Sequence, residues 1–289
     1  MVDQLPYQGI DTWDTAAILT AMNDEDKGVP AAVGVAIPRI TAVVDVMVAA
    51  IGQGGHVHYF GAGTSGRLAV LDAYECPPTF DVAPTVVQAH LAGGNLAFAH
   101  QMENLEDDAE RGAEDARAAG VGHGDVAIGV AASGNTPYVI GAVEEAARLG
   151  AETVALVCAR GSALERIARH CIAVDVGPEL VGGSTRLKAG TAQKLVLNML
   201  STATFTKLGH VYDGLMVAVR PDNVKLQKRA AAIIRRITGA GDDSAQAMLA
   251  ASGMDVRVAI VALAQQLSPE EARARLARSS GNLRQALAS

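Results

Sequence analysis

Three stretches of this 289-residue sequence place glycine beside serine or threonine just ahead of a helical pattern. They are Gly61-Ala62-Gly63-Thr64-Ser65-Gly66-Arg67, Ala132-Ser133-Gly134-Asn135-Thr136-Pro137 and Gly182-Gly183-Ser184-Thr185-Arg186-Leu187-Lys188-Ala189-Gly190-Thr191. Glycine lets backbone N–H groups approach an anion, hydroxyls add donors, and a helix N-terminus adds partial positive charge. Thr64, Ser65, Gly66, Ser133, Gly134, Asn135, Thr136, Ser184, Thr185 and Lys188 are the candidate ligands of a phosphorylated substrate. Any one loop reads equally well as a helix cap or tight turn, which the same residue types favour. Three at the ends of three strands point to a common site. No G-x-x-x-x-G-K-[ST] occurs, so this is not a P-loop.

Gly61-x-Gly63-x-x-Gly66 also fits a dinucleotide fingerprint in form. That reading needs an acidic residue near the end of the next strand, and Gln88, Ala89 and His90 stand there instead. Arg67, Arg186, Lys188 and Lys194 bring local positive charge, although each alone suits a solvated or ion-paired surface position. His56 and His58 face one side of a strand, but no carboxylate or cysteine at ligand spacing accompanies them, so they read as core or surface histidines. Ser65 and Ser133 lie in anion-loop contexts and not in a G-x-S-x-G elbow, which argues against a Ser-His-Asp triad.

These loops need strands to carry them. Short, nearly continuous apolar runs appear at His56–Phe60, Thr85–Leu91, Val126–Ala131, Thr153–Cys158 and Cys171–Val176. Helical patterns separate them at 65–74, 95–119, 136–149 and 162–168. Alternation of this kind predicts a parallel sheet covered on both faces, with ligands beyond the carboxyl ends of its strands. Upstream, 15–26 and 37–53 read as helices, with Pro38 in the first turn of the second. Downstream, 190–208 and 223–238 read as helices, and Gly239-Ala240-Gly241 as a hinge. Three short helical patterns end the chain, the last opened by a capping box at Ser268-Pro269-Glu270-Glu271. The predicted organisation is therefore 1–54 as N-terminal helices, 55–239 as the ligand-binding domain and 240–289 as a small helical domain.

Composition narrows the function. Hydrophobic residues make up 49% of the chain, enough for a large core, and aromatics only 3%, which favours closely packed helices on a sheet. A net charge of −7 speaks against nucleic acid or an anionic membrane as partner, so charge for an anion must be local. Cys76, Cys158 and Cys171 are too scattered for a disulfide framework and suit reduced thiols of a cytoplasmic protein. Met1-Val2-Asp3-Gln4-Leu5-Pro6 has neither the basic nor the apolar region of a signal peptide. The apolar stretch 40–51 carries Asp45 and reads as a core helix, not as a membrane span.

Longer motifs carry a resemblance. Gly61-Ala62-Gly63-Thr64-Ser65-Gly66-Arg67-Leu68, Asp72-Ala73-Tyr74-Glu75-Cys76-Pro77-Pro78-Thr79 and the run from Gly190-Thr191-Ala192-Gln193-Lys194 to Ser201-Thr202 resemble the N-acetylmuramic acid 6-phosphate etherases. Asn23-Asp24-Glu25-Asp26-Lys27 and Ser133-Gly134-Asn135-Thr136-Pro137-Tyr138-Val139 agree with it, and the likeness runs from about residue 10 to the end. It implies a sugar isomerase (SIS) α/β fold: a three-layer sandwich around a central parallel five-stranded sheet, with a helical N-terminal segment and a small helical C-terminal domain. It also implies a homodimer that uses neither metal nor organic cofactor. The implied reaction cleaves a lactyl ether to give N-acetylglucosamine 6-phosphate and D-lactate in cell-wall recycling. Met1–Gly9 has no counterpart of the family's acidic, asparagine-bearing N-terminal stretch, and Asn135 stands where many members carry arginine.

An ether oxygen leaves poorly, so the feasible route opens the sugar to an aldehyde, which acidifies C2. A base takes the C2 proton, an acid protonates the departing lactate oxygen, and water adds at C3. By motif match the two carboxyls are Glu75 and Glu106. Glu75 precedes a proline pair expected to stop its helix, between Tyr74 and Cys76. Apolar burial and a helix C-terminus would there disfavour its charge and suit the proton donor. Glu106 is expected on one helix face with Glu103 in an acidic run, suited to the base, although that run reads equally as a solvated face. A SIS-type regulator that binds a sugar phosphate without turnover needs the loops but no acid/base pair. An aldose–ketose isomerase shares the enediolate chemistry but releases no lactate.

Overall fold

The computed structural model describes residues 7–99, 105–219, 221 and 223–288. Met1–Pro6 and Glu103, on which expectations above fell, lie outside them. The chain packs as two compact units, one of residues up to Tyr74 with Thr85–Ser201, the other of Glu75–Pro84 with the residues from Thr202 onward.

In the first unit, helix α1 (Thr15–Asp26) starts at Asp14, whose side chain accepts the Ala17 N–H. Helix α2 (Val29–Gly52) begins earlier than its apolar spacing suggests: a proline sits at its first turn, but it is Pro30. Pro38 lies inside, where it removes one i→i−4 hydrogen bond, and the helix persists because Val33, Ala36, Ile40, Val43, Val44 and Met47 are buried. The run 15–52 is long and apolar enough to cross a membrane by length and composition. Its buried stripe instead packs on the sheet, against β1 (Val57–Gly61) and strands described below, as a core helix does.

After β1 come helix α3 (Gly63–Phe80), β2 (Val87–Leu91) and α4 (Gly94–Ala99). A 3₁₀ turn at Leu105–Asp107 leads to α5 (Ala109–Ala118), capped by Asp108. The expected continuous helix over 95–119 is thus broken. Asp108 competes for the backbone by accepting the Arg111 N–H, which starts a fresh helix there. β3 (Val126–Val130), α6 (Pro137–Arg148), β4 (Glu152–Val157), α7 (Ala163–Ile167) and β5 (His170–Ala173) follow, and α8 (Lys188–Lys207) closes the unit's sequence. All five strands pair in parallel in the order β2-β1-β3-β4-β5. Every residue of β3 is buried, as expected for a central strand covered on both faces.

The proline pair does not end α3. The helix continues through Pro77 and Pro78 to Phe80, whose buried ring stacks on Phe205 at 4.7 Å. Proline's fixed φ is compatible with helix, and the buried Cys76 and Phe80 on either side of the pair anchor the segment. Asp81, with φ 51°, turns the chain out and donates its N–H to the Pro77 carbonyl.

In the second unit, the short hairpin of β6 (Val211–Tyr212) and β7 (Leu215–Met216) leads to α9 (Val224–Thr238), capped by Asn223 and ended by Gly239 in the left-handed conformation. Four helices follow among the described residues, where three were expected: α10 (Asp242–Ala251), α11 (Val256–Gln265), α12 (Pro269–Arg278) and α13 (Leu283–Ala288). The capping box at Ser268 and Glu271 forms as read from sequence. Ile233 and Ile234 of α9 share one core with Leu249, Ile260, Leu276 and Leu283.

Candidate active site

The strand order reverses between β1 and β3, and open parallel sheets bind ligands at such a switch point, beyond the carboxyl ends. The first two glycine-rich loops leave these two strands. In the first loop, a methyl group on Gly61 would lie 2.6 Å from the Gly66 Cα, so backbone meets backbone where β1 turns into α3. Ser65 Oγ donates to Gln193 Oε1 on α8 at 2.8 Å. Gln193 is fully buried, and its Nε2 finds no hydrogen-bond partner among the described residues. A methyl on Gly190 would lie 3.8 Å from Thr64 Cγ2 and 4.0 Å from the Thr185 carbonyl oxygen. The first and third loops therefore meet over the first turns of α8.

In the second loop, Gly134 has φ +65°, and any Cβ would overlap Ser162 Oγ at 2.3 Å. Glycine is required there on both counts. Asn135 is used up locally: its Oδ1 accepts the Ala163 N–H at 3.0 Å and its Nδ2 donates to the Ser133 carbonyl at 3.1 Å. It clasps the loop to α7 and fixes Ser133 beside it. Thr136 caps α6 through its backbone, without a side-chain bond.

Ser133, Ser184 and Thr185 line one cavity of about 520 Å³ with Ala132, Cys158 and Glu179. A volume of this size suits a small ligand. Burial, then the nearby Glu179 and Asp175 charges, pushes the Cys158 thiol up to about 12, so it is no thiolate nucleophile. Glu179 was not singled out from the sequence. Its carboxylate accepts the N–H groups of Lys188 and Ala189 at 2.9 and 3.1 Å, answering the positive end of α8. An acid just ahead of a glycine-rich turn into a helix was the available signal.

Lys188, expected to face substrate, is buried and ion-paired to Glu25 of α1, which also accepts from Tyr7 at 2.7 Å. Those hydrogen bonds, Lys188's first, hold the Glu25 carboxyl below its ordinary value. The segment 23–27 thus contributes a tether for α8. Deeper in the unit, Asp72 of α3 accepts from Tyr59 of β1 at 3.2 Å and Ser201 of α8 at 3.0 Å, and burial raises its carboxyl.

The two carboxyls are placed differently from expectation. Glu106 is exposed on the 3₁₀ turn, and its neighbour Leu105 packs against a cluster that includes Ala92 and Ala131, the residues just beyond the carboxyl ends of β2 and β3, while the turn itself lies against α6, which follows the second loop. That puts Glu106 at the loop-bearing edge. Glu75 is exposed, as is Tyr74 at 67%, and of its two sequence neighbours only Cys76 is buried, so no described residue gives it the apolar surroundings expected. It also lies within α3 and not at its end. Glu75 belongs to the second unit, whereas Glu106 and the three loops belong to the first. The reading of His56 and His58 as lacking a carboxylate partner is corrected too. Asp125, 69 residues beyond His56, stands beside both at the amino end of β3.

An open parallel sheet of this order, with hydroxyl-rich turns converging at its carboxyl edge, defines a SIS-domain protein. Family models agree, matching residues 96–203 as a SIS domain and 39–147 as a glucokinase regulatory protein N-terminal SIS domain. A phosphoheptose isomerase from Francisella tularensis superposes with a TM-score of 0.55 at 20% identity, over 67% of this chain and all of that one, which speaks to the fold alone. Curated relatives are much nearer. An N-acetylmuramic acid 6-phosphate etherase of Streptomyces coelicolor is 48% identical over 99% of this chain and 90% of its own length. One from Halalkalibacterium halodurans is 47% identical over 96% and 93%. The chain belongs to the N-acetylmuramic acid 6-phosphate etherase family.

Glu25→Gln removes one partner of a largely buried pair and should cost about 2–4 kcal/mol at pH 7, near the range for buried pairs. Because the folded-state value of Glu25 is lowered, its contribution is complete above the ordinary 4.5 and fades as pH falls through the folded value. Urea unfolding of both proteins at pH 7 and at stepwise lower pH checks this. The gap should close in acid; equal stability at pH 7, or a gap that persists undiminished in strong acid, contradicts it.

Proposed function

We infer that this chain cleaves the D-lactyl ether of N-acetylmuramic acid 6-phosphate, yielding N-acetylglucosamine 6-phosphate and D-lactate. The observation that carries the reading is the convergence of three hydroxyl-bearing turns at one sheet edge in a member of this family. On this reading Thr64, Ser65, Gly66, Ser133, Gly134, Thr136, Ser184 and Thr185 hold the phosphorylated sugar, with Asn135 and Lys188 positioning their loops. Turning the Gln193 amide end for end makes Nε2 the donor to Ser65, which frees the Ser65 proton for a phosphoryl oxygen.

With the phosphoryl end gripped, the open-chain aldehyde presents C2. Glu106 takes the C2 proton, and the C–H electron pair enters the enolate. The enolate then expels the C3 oxygen, which receives a proton from Glu75 and leaves as D-lactate. Water adds to the resulting unsaturated aldehyde: its hydroxyl joins C3, and a proton returns to C2.

Glu75 needs a partly dry setting to hold a proton near neutral pH, and this chain alone leaves it exposed. Leu71 and Tyr74, 51% and 67% exposed, flank it on the same side of α3. A second copy covering these two side chains would desolvate Glu75, so the reading includes a homodimer that completes the site. The phosphorylated metabolite and three cysteines that form no disulfide among the described residues support a cytoplasmic setting.

Purified protein given N-acetylmuramic acid 6-phosphate should release D-lactate, whereas binding without lactate would favour a regulator. Glu75→Gln should slow release about 10²–10⁴-fold while C2 hydrogen exchange with solvent survives; loss of both, in folded protein that binds ligand, refutes the division of roles. Leu71→Asp should give monomers by light scattering and at least about tenfold slower release, on the same acid–base scale. A monomeric wild-type protein that turns over normally would remove the partner from the site.

A further inference from the structure

The end of the sheet opposite the loops holds a cluster that the etherase chemistry does not use. β1 and β3 are neighbours, with Val57 opposite Val126, so His56 and Asp125 lie side by side one residue before each strand. His58 falls on the same face as His56. His56 Nδ1 stands 3.4 Å from Asp125 Oδ1, and His58 Nε2 stands 4.0 Å from Asp125 Oδ2. One ligand atom from each residue lies within 4.8 Å of the other two.

We propose that His56, His58 and Asp125 bind a divalent transition-metal ion of the zinc type, clamping the amino ends of β1 and β3. A tetrahedral ion with bonds of about 2.0–2.1 Å sets its ligand atoms about 3.3 Å apart. The His56–Asp125 pair already has that separation, and the remainder needs side-chain rotations of about an ångström. Two imidazoles and one carboxylate suit Zn²⁺, Co²⁺ or Ni²⁺ better than Mg²⁺ or Ca²⁺, which prefer oxygen ligands.

Neighbouring groups orient the ligands as an outer shell should. Asp125 is fixed by the N–H groups of His56 and Gly122, at 2.8 and 2.9 Å, and each oxygen keeps a lone pair for a cation. His58 is 1% exposed, and its Nδ1 lies 3.2 Å from Nε2 of His90, on which it stacks. A proton on His58 Nδ1, donated to His90, leaves the Nε2 lone pair directed at Asp125, the tautomer that ligation requires. Burial keeps this imidazole neutral, with a value lowered to about 4. The His56 side chain is 42% exposed, which provides an entry path and room for water as a fourth ligand.

The test is titration of the EDTA-treated full-length chain with CoCl₂, followed by its visible d–d absorption, and with ZnCl₂ by calorimetry. One ion per chain should bind with a tetrahedral cobalt spectrum. His56→Ala should weaken binding at least ~100-fold, beyond the 10–100-fold that loss of an outer-shell partner costs. Asp125→Asn should weaken it as well, with folding of both variants checked by circular dichroism. His170→Ala, which removes a histidine paired with Glu152 and outside the cluster, should leave affinity unchanged. No stoichiometric binding to the parent chain, an unchanged affinity in folded His56→Ala, or an equal loss in His170→Ala would each overturn the proposal.

Discussion

The turn from β1 into α3 admits no side chain at Gly61 or Gly66, because the two backbones nearly touch. That steric constraint places the start of α3 directly over the carboxyl end of its strand. Thr64 and Ser65 are thereby brought against α8, where Gly190 and Gln193 receive them. The third loop arrives at the same turn of α8, so one tight passage of chain aligns two of the three hydroxyl-bearing segments. The Asp72 link to Tyr59 and Ser201 then ties the same three elements together one layer deeper.

Charge is managed locally in a chain of net charge −7. The lysine nearest the loops is neutralised by Glu25, and the first N–H groups of α8 are answered by Glu179. A phosphoryl group bound here would draw on hydroxyls and loop N–H groups more than on full positive charges. Such donors are effective because the loop geometry fixes them before ligand arrives, so little reorganisation is needed. Asn135 fits this pattern: its amide locks the Ser133 loop onto α7 without adding a charge.

Much of this was readable from residue order. Period and glycine placement locate all five strands of the sheet to within three residues at each end, and the three loops, because a buried parallel sheet leaves a strong apolar signature. The misreadings have physical causes. Pro38, Pro77 and Pro78 look like helix boundaries, yet buried neighbours carry both helices past them. The break just ahead of Ala109 depends on Asp108 acting as a cap and not as one more acid on a helix face. Contacts between distant residues left no local trace: Lys188 with Glu25, and Asp125 with His56 and His58. The setting of Glu75 differs from expectation because Tyr74 is exposed with it, while Cys76 alone turns into the core.

In the proposed function the turns grip a phosphoryl group and not the sugar ring alone. Calorimetric binding of N-acetylglucosamine 6-phosphate and of unphosphorylated N-acetylglucosamine, to the parent chain and to Ser133→Ala, tests it most directly. The phosphorylated sugar should bind at least about 100-fold more tightly, as charge-assisted hydrogen bonds of roughly 1.5–3 kcal/mol each imply, and Ser133→Ala should erase much of that difference. Equal affinity for the two sugars, or a phosphate preference untouched by the substitution, would contradict it.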